Sequence, residues 1–366
     1  VGKTRVGSKS YIKILLVIDG SYLEGGGQIV RTAIGLASLF KIPVKIINIR
    51  ANRKPPGLKQ QHYTMVKFLA EVTEAEVKGL ALGSRELYFK PKTIHGGKYF
   101  VDIKTAGSIT LFLQGAILPL LFADSKVELT IKGGTDVTHS PSMDYFRFVF
   151  LPYIKRFAEV DLEIIRRGFY PRGGGIVRIT INPRLPRDLV SLEQFLENLK
   201  KIEGYNLCKT LTYKVADIYS VATVDLKQRK VAERMLNSAI EEIEGIIKIG
   251  ETKVEYVRSL STGAVITIVG HSNISVFGSD FLGEKKKKSE EVGSLAGIRF
   301  RRVIETKSSV DENLADMLIP YMGLVREGCF ITPNITNHLL TNIWVSEKFL
   351  GKIFRVSKNK VEVQPV

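Results

Sequence analysis

Two stretches about eighty residues apart follow one plan, and this repetition limits what the chain can fold into more than any other feature. The first, "GGGQIVRTAIGLASLFKIPVKIINIR" (25–50), is a glycine turn, a helical apolar period and an alternating strand; "TAGSITLFLQGAILPLLFADSKVELTIKGG" (105–134) runs the same way. Each is followed by a further helix and strand, in "HYTMVKFLAEVTEAEVKG" and "MDYFRFVFLPYIKRFAEVDLEII", with Ala75-Glu76-Val77 and Ala158-Glu159-Val160 in matching places. A unit of two helices and several strands buries its helices on one sheet face, which predicts an α+β class.

A more diverged third copy is expected at the C-terminus. It comprises a helix from about Glu290, a second from Val310 to Leu324, "CFIT", a helix around His338, and strands "KIFRVS" and "VEVQPV". His338 then opens a repeat's second helix, the place held by "HYTMVKF" in the first copy. Residues 186–276 break the pattern with helix-like "LVSLEQFLENLKKIEG" and "QRKVAERMLNSAIEEIEG" and strand-like "TYKVADIYSVATV", "KVEYVRSL" and "GAVITIVGH". The expected division is a repeat body at 1–185 and 277–366, with an inserted α/β subdomain at 186–276.

With 366 residues, 44% of them hydrophobic, the chain has ample material for a core. No apolar run reaches the roughly 20 residues of a membrane span. The basic start "VGKTRVGSKSYIKILLVIDG" leads into a strand without a small-residue cleavage site, so a cytoplasmic protein is expected. Cys208 and Cys329 are too few and too far apart for a disulfide framework or a zinc site, and are expected to be core thiols. The 54 Lys and Arg against 37 Asp and Glu give +17, which favours a polyanionic partner such as nucleic acid; a lysine-rich surface can also serve solubility alone.

"GSYLEGGGQIVRTA" joins a strand to a helix, so Gly25, Gly26 and Gly27 let backbone N–H groups approach a phosphate at a positive helix end. It lacks the terminal G-K-[ST] of a Walker loop and could equally be a tight turn. Glu24 is placed to hold a divalent cation, with Gln28 and Arg31 in the first helical turns. "IRANRKPPGLKQQHYTM" gathers Arg50, Arg53, Lys54, Lys59, Gln61 and His62 around a Pro-Pro-Gly turn, a composition suited to phosphate. "RRGFYPRGGG" carries Arg166, Arg167 and Arg172 around Phe169 and Tyr170, which read equally as base-stacking groups or loop anchors. "GEKKKKSEE" reads as a solvated turn with a helix start at Ser289.

In "ITNHLLTNIWV", with Asn337 as cap, His338, Thr341 and Asn342 share a face opposite Leu339, Leu340, Ile343 and Trp344. A helix N-terminus disfavours imidazolium, so His338 would be neutral, as a nucleophile must be. A lone histidine there can equally serve as a half-buried polar residue.

In order, "IDGSYLEGGGQIVRTA", "IRANRKPPGLKQQH", "TAGSITLFLQ", "GGTDVTHSPSMDY", "RRGFYPRGGG", "GEKKKK" and "NHLLTNIWVSEKFL" resemble the RNA 3'-terminal phosphate cyclase family over residues 18–350. The resemblance implies three repeated units of two helices and a four-stranded sheet, like the C-terminal domain of translation initiation factor three, with a smaller inserted α/β subdomain. It implies ATP-dependent conversion of an RNA 3'-terminal phosphate to a 2',3'-cyclic phosphate, with Mg²⁺ or Mn²⁺, through a covalent histidine-AMP at His338 and an RNA-adenylate.

Carried over by position, Glu24 and Gln28 match residues near the ATP phosphates and metal. Arg31, Arg50, Arg53, Gln61 and His62 match the basic set for ATP phosphates or the RNA end. Gln114 and Pro141 match positions at the nucleotide pocket, and Asp316 an acid near the adenosine. Asn52 stands where the family often has glycine, Asn313 where an aromatic is frequent, and "DVTHSPSMDY" replaces a proline-richer version. The partner implied is RNA with a 3'-phosphate end, with no membrane; the oligomeric state is left open, a homodimer included. The alternative is a non-catalytic RNA-binding or ribosome-assembly factor on the same scaffold, which leaves His338 without a role. An enolpyruvyl-type transferase on a related repeat architecture is more distant.

Overall fold

The structure, a computed structural model, describes residues 15–364, so the basic segment 1–14 and the last two residues lie outside it. The class is α+β, with four four-stranded sheets among the described residues. The first sheet is built from β1 (Leu16–Asp19), β2 (Val44–Ile47), β3 (Glu76–Lys78) and β4 (Leu87–Lys90), in the order β1-β2-β4-β3. Helix α1 (Gln28–Phe40) crosses from β1 to β2, and α2 (Gln60–Val72) from β2 to β3. β1 and β2 run parallel, and the other two pairings are antiparallel.

The second sheet repeats that order as β5 (Gly97–Asp102), β6 (Val127–Gly133), β8 (Gly175–Pro183) and β7 (Ala158–Arg166), again with only the first pair parallel. Its first crossover is α3 (Ile109–Leu120). Its second is one continuous helical stretch: α4 (Met143–Tyr145), a wider π turn through Phe146–Phe150, and α5 (Leu151–Ile154). After α6 (Leu192–Leu199) comes β9 (Tyr205–Asn206), which opens a third sheet completed only at the C-terminus.

Between β9 and that completion lies a separate sheet, ordered β11-β10-β12-β13: β10 (Tyr213–Thr223), β11 (Lys248–Val257), β12 (Ala264–Ser272) and β13 (Val276–Leu282). It is covered by α7 (Val231–Ile243) and α8 (Ser289–Glu305). The chain then runs through α9 (Glu312–Val325), β14 (Gly328–Ile331), α10 (Asn337–Leu350), β15 (Phe354–Ser357) and β16 (Lys360–Val363). The third sheet is therefore β9-β14-β16-β15, the strand order of the first two, with β9 parallel to β14.

The expected bounds 186–276 do not coincide with this division. Val292, Ala296, Phe300 and Val303 of α8 share a core with Ile218, Ile266 and Phe277 of the insert sheet, so β13 and α8, beyond residue 276, pack there. Phe195, Leu199 and Tyr205, inside those bounds, belong to the large core of the body. The helix expected to open the third copy near Glu290 is thus a covering helix of the insert. The reason is that α8 carries one apolar stripe, and the sheet beside it is that of β12 and β13.

The cysteine expectation is also corrected. Cys208 and Cys329 are bonded to each other, with Cα atoms 5.7 Å apart, and both are half-buried. They are brought together because β9 lies parallel to β14, which joins positions 121 residues apart.

The large core runs through all three units, and α1 is its centre. Twelve of its thirteen residues are buried, and it packs against both α3 and α10. Each of Ile29, Val30, Ile34, Leu36 and Leu39 buried in this way contributes roughly 1.5–3 kcal/mol. The α1–α3 approach is close: a β-carbon on Gly35 would lie 2.9 Å from the Gly115 carbonyl oxygen. This contact draws Arg31 and Gln114 together below the start of α1. Among the described residues, no helix is long and apolar enough to cross a membrane.

Candidate active site

Two loops meet at the start of α1. Asp19, at the end of β1, accepts hydrogen bonds from the Ser21 backbone (2.9 Å) and hydroxyl (2.7 Å) and from Asn48 (3.1 Å). The Ser21 contacts hold its carboxyl below the usual range. Gly25 has φ +53°, and a β-carbon there would fall 2.5 Å from Asn52 Nδ2. Asn52 in turn donates to the Ser21 and Leu23 carbonyls, 3.1 Å each. Asn52 therefore laces the 48–57 loop to the glycine loop.

The basic residues of that second loop divide. Arg50, 6% exposed, donates through Nη1 to the carbonyls of Pro55 and Gly57, both at 2.9 Å, and so holds its own loop closed. Arg53 is exposed and reaches Glu24 Oε2 at 2.5 Å. Among the described residues no side chain caps α1, whose N-cap is Gly27, which leaves N–H groups open between these charges.

His338 enters from α10. The cap is Thr336, whose hydroxyl accepts from the Leu339 N–H at 3.1 Å, rather than the expected Asn337. Thr and Asn cap about equally well, so the sequence pattern does not separate adjacent positions. His338 Nδ1 lies 2.6 Å from Gln28 Oε1, and Gln28 Nε2 donates to the His338 carbonyl (3.0 Å) and to Asp316 Oδ1. An amide oxygen only accepts, so Nδ1 carries the proton and Nε2 keeps its lone pair. That Nε2 faces Glu24 Oε2 at 3.9 Å. Burial lowers the His338 pKa; Glu24 opposes this, while Arg31 and Arg53 add to it.

Behind Gln28, Asn342 donates to the carbonyl and to Oδ1 of Asp316, and its own Oδ1 accepts from Thr32 at 2.6 Å. Thr32, Asn342, Asp316, Gln28 and His338 thus form one hydrogen-bonded series. Burial raises the Asp316 pKa to about 7, against the pull of Arg31, and burial lowers the Arg31 guanidinium to about 10. A cavity of about 30 Å³ lies beneath, lined by Arg31, Gln114, Asp316 and Tyr321, whose buried hydroxyl has no hydrogen-bond partner among the described residues.

His62 lies across from His338 in the first turn of α2. Its Nδ1 accepts from the Lys59 N–H at 3.4 Å, so Nε2 carries the proton. That Nε2 is buried without a partner among the described residues, beside Gly27, where a β-carbon would fall 1.9 Å away. Burial, with Arg31, Arg50 and Lys59, puts the His62 pKa well below its usual value, so the ring is neutral. Gln61 is half-buried against Gly107.

Glu24, Gln28, Arg31, Arg53, His62, Asp316 and His338 therefore converge, with Gln114 in the cavity wall. Pro141 stands apart, its carbonyl accepting from Thr110 at 2.8 Å at the start of α3. Among the described residues no group of three or more His, Cys, Asp or Glu side chains could cage a metal. Glu24 alone suits an ion that keeps water and phosphate oxygens as its other ligands. Thr32 was missed in the sequence, although it lies one turn after Gln28 on the same face of α1.

Comparison with known proteins matches residues 22–356 to the family model described as RNA 3'-terminal phosphate cyclase. The chain is 40% identical over 343 residues to an "RNA 3'-terminal phosphate cyclase" of Pyrococcus furiosus, covering 93% of this chain and 95% of the relative. A protein of that name from Pyrobaculum aerophilum is 40% identical over 355 residues (95% and 98%), and one from Methanopyrus kandleri 41% over 340 (92% and 93%).

Proposed function

The chain belongs to the RNA 3'-terminal phosphate cyclase family, and on that premise we propose that it converts an RNA 3'-terminal phosphate to a 2',3'-cyclic phosphate at the expense of ATP, with His338 as nucleophile. The observation that carries this reading is the Gln28–His338 hydrogen bond of 2.6 Å, which leaves Nε2 unprotonated toward the open side of the site.

In the first step Nε2 attacks the α-phosphorus of ATP, the bond to the β-phosphate oxygen breaks, and pyrophosphate leaves. An oxygen of the RNA 3'-phosphate then attacks the same phosphorus, the N–P bond breaks, and an RNA-adenylate anhydride forms. Finally the ribose 2'-hydroxyl attacks the terminal phosphorus, losing its proton, and AMP departs. The intermediate anhydride is needed because a phosphate monoester offers no good leaving group.

The uncapped N–H groups of α1, the Nε2–H of His62 and the Arg53 fork are suited to hold phosphate oxygens, and a nucleotide would satisfy the orphaned His62 donor. Gln114 and Asp316 are assigned to the nucleotide side and Gln61 to the RNA end. Arg50 and Pro141 act through the loops they hold. Glu24 would hold Mg²⁺ or Mn²⁺, an ion that supplies charge neutralisation for the phosphates. The shared strand order of three sheets supports descent from one repeated unit, similar to the C-terminal domain of translation initiation factor three.

Incubation with α-labelled ATP and Mg²⁺ or Mn²⁺, followed by a denaturing gel, tests the reading. Expected is an acid-labile, base-stable label on the wild-type chain and none on His338→Ala. Label of equal strength on the variant, or none on folded wild type, would remove His338 from the role.

A further inference from the structure

The "RRGFYPRGGG" loop leading from β7 into β8 separates into an anchored base and an exposed tip. Arg167 is buried, with Nη2 2.7 Å from both oxygens of Asp144 and Nη1 3.2 Å from Asp136 Oδ2. Phe169 is buried against Val221 and Val265 of the insert sheet, and its backbone bridges to Asp136 and Gly173. On the far side, the Arg172 N–H donates to the Ser261 hydroxyl at 3.0 Å. Tyr170 stands between these anchors, 71% exposed. Arg166 and Arg172 of the same loop are exposed, with no carboxylate partner among the described residues.

This tip adjoins the site through loop contacts alone. A β-carbon on Gly173 would lie 2.8 Å from the Ala106 Cα, and one on Gly107 would lie 3.4 Å from the Gln61 Cβ. Gln61 precedes His62, which lies on Gly27. An isolated exposed tyrosine needs no explanation. Here, however, the anchored neighbours Arg167, Phe169 and Arg172 fix the backbone that carries the ring, and the ring stands exposed beside cations without carboxylate partners among the described residues, next to the end of a site that takes a nucleic-acid terminus.

The geometry points to the loop 166–174 as a landing for the single-stranded RNA that lies 5' of the terminal phosphate, with one base stacked on Tyr170 and the backbone phosphates on Arg166 and Arg172. This rests on the RNA-end reading above and adds the path of the strand. Stacking on an aromatic face tolerates any base, and a loop whose backbone is already anchored loses little entropy when a base covers its tip. The path runs from the glycine loop, past Gln61 and the 104–107 loop, to the junction of the second sheet with the insert. The insert is thereby given a part in holding substrate.

The test is equilibrium binding, by fluorescence anisotropy, of 3'-phosphorylated single-stranded RNA of about ten nucleotides, with a 3'-phosphorylated dinucleotide measured by competition. Binding needs no turnover, so a failure of nucleotidyl transfer leaves this readout intact and counts against the activity reading alone. Tyr170→Ala is expected to weaken the longer RNA by about five-fold or more and thereby shrink its advantage over the dinucleotide, while Tyr170→Phe retains that advantage. Arg172→Ala should lower the salt dependence for the longer RNA by about one counterion. An unchanged length advantage in Tyr170→Ala, or its equal loss in Tyr170→Phe, would overturn the assignment.

Discussion

At the scale of single residues, the imidazole of His338 is prepared by groups that never touch a phosphate. Burial lowers its pKa and Glu24 opposes that shift. In ligand-free protein, the His338 ring should therefore titrate below the ordinary 6.5, and lower still in Glu24→Gln, because removing a carboxylate removes support for the cation. Nuclear magnetic resonance of labelled histidine, assigned by loss of a signal in His338→Ala, measures this; a titration at or above the ordinary value would contradict it.

Asn342 acts three hydrogen bonds back from His338, through Asp316 and Gln28. Asn342→Ala strands the Thr32 hydroxyl and removes a donor to Asp316, at a cost of about 1–3 kcal/mol in stability. It should slow nucleotidylation by about ten-fold for each 1.4 kcal/mol of orientation lost by Gln28. A variant of normal rate at a temperature where it is fully folded would limit Asn342 to packing. His338 was recognisable from its place in a motif. Thr32 and Asn342 were not assigned roles, because neither has a partner close in sequence: Thr32 and Asn342 are 310 residues apart.

At the scale of elements, the glycine loop shows why a residue type is required. Gly27 is not held by a left-handed backbone, since its φ is −71°; the His62 ring occupies the space a β-carbon would need. Gly27→Ala should therefore destabilise the fold by about 1–3 kcal/mol through overpacking and abolish labelling by ATP. Adding His62→Ala should restore the melting temperature towards that of the His62→Ala single variant. A double variant no more stable than Gly27→Ala would show that the clash is not the cause.

Helices were legible where apolar periods ran long, as in α1, α7 and the start of α8 at Ser289. Their ends were less so: Thr336 and Asn337 are both good caps, and a shift of one residue leaves the apolar period of α10 unchanged. The mixed "RRGFYPRGGG" segment could not be divided from sequence, because Arg167 and Arg172 differ only in having Asp136 and Asp144 within reach or not.

At the scale of the whole molecule, Asp311 joins three parts. It caps α9 through the Asn313 and Leu314 N–H groups, 3.0 Å each. It also accepts from Tyr145 of the second unit (2.5 Å) and from the Gly278 N–H of the insert (2.9 Å). Asp311→Ala removes the cap and leaves two buried donors without acceptors, so thermal unfolding should report a loss of about 2–5 kcal/mol. An unchanged midpoint would mean that these donors find other partners.

By itself, the sequence determined the α+β class, the existence of most elements and a break in the repeat pattern after the second unit, because apolar period and turn residues act over short distances along the chain. Tertiary structure alone decided that α8 covers the insert, that Cys208 meets Cys329, that Arg50 braces its own loop, and that Gln28 orients His338 from 310 residues away. Those outcomes depend on which surfaces come together when the sheets and helices pack, and local patterning carries no record of the partner across such a gap.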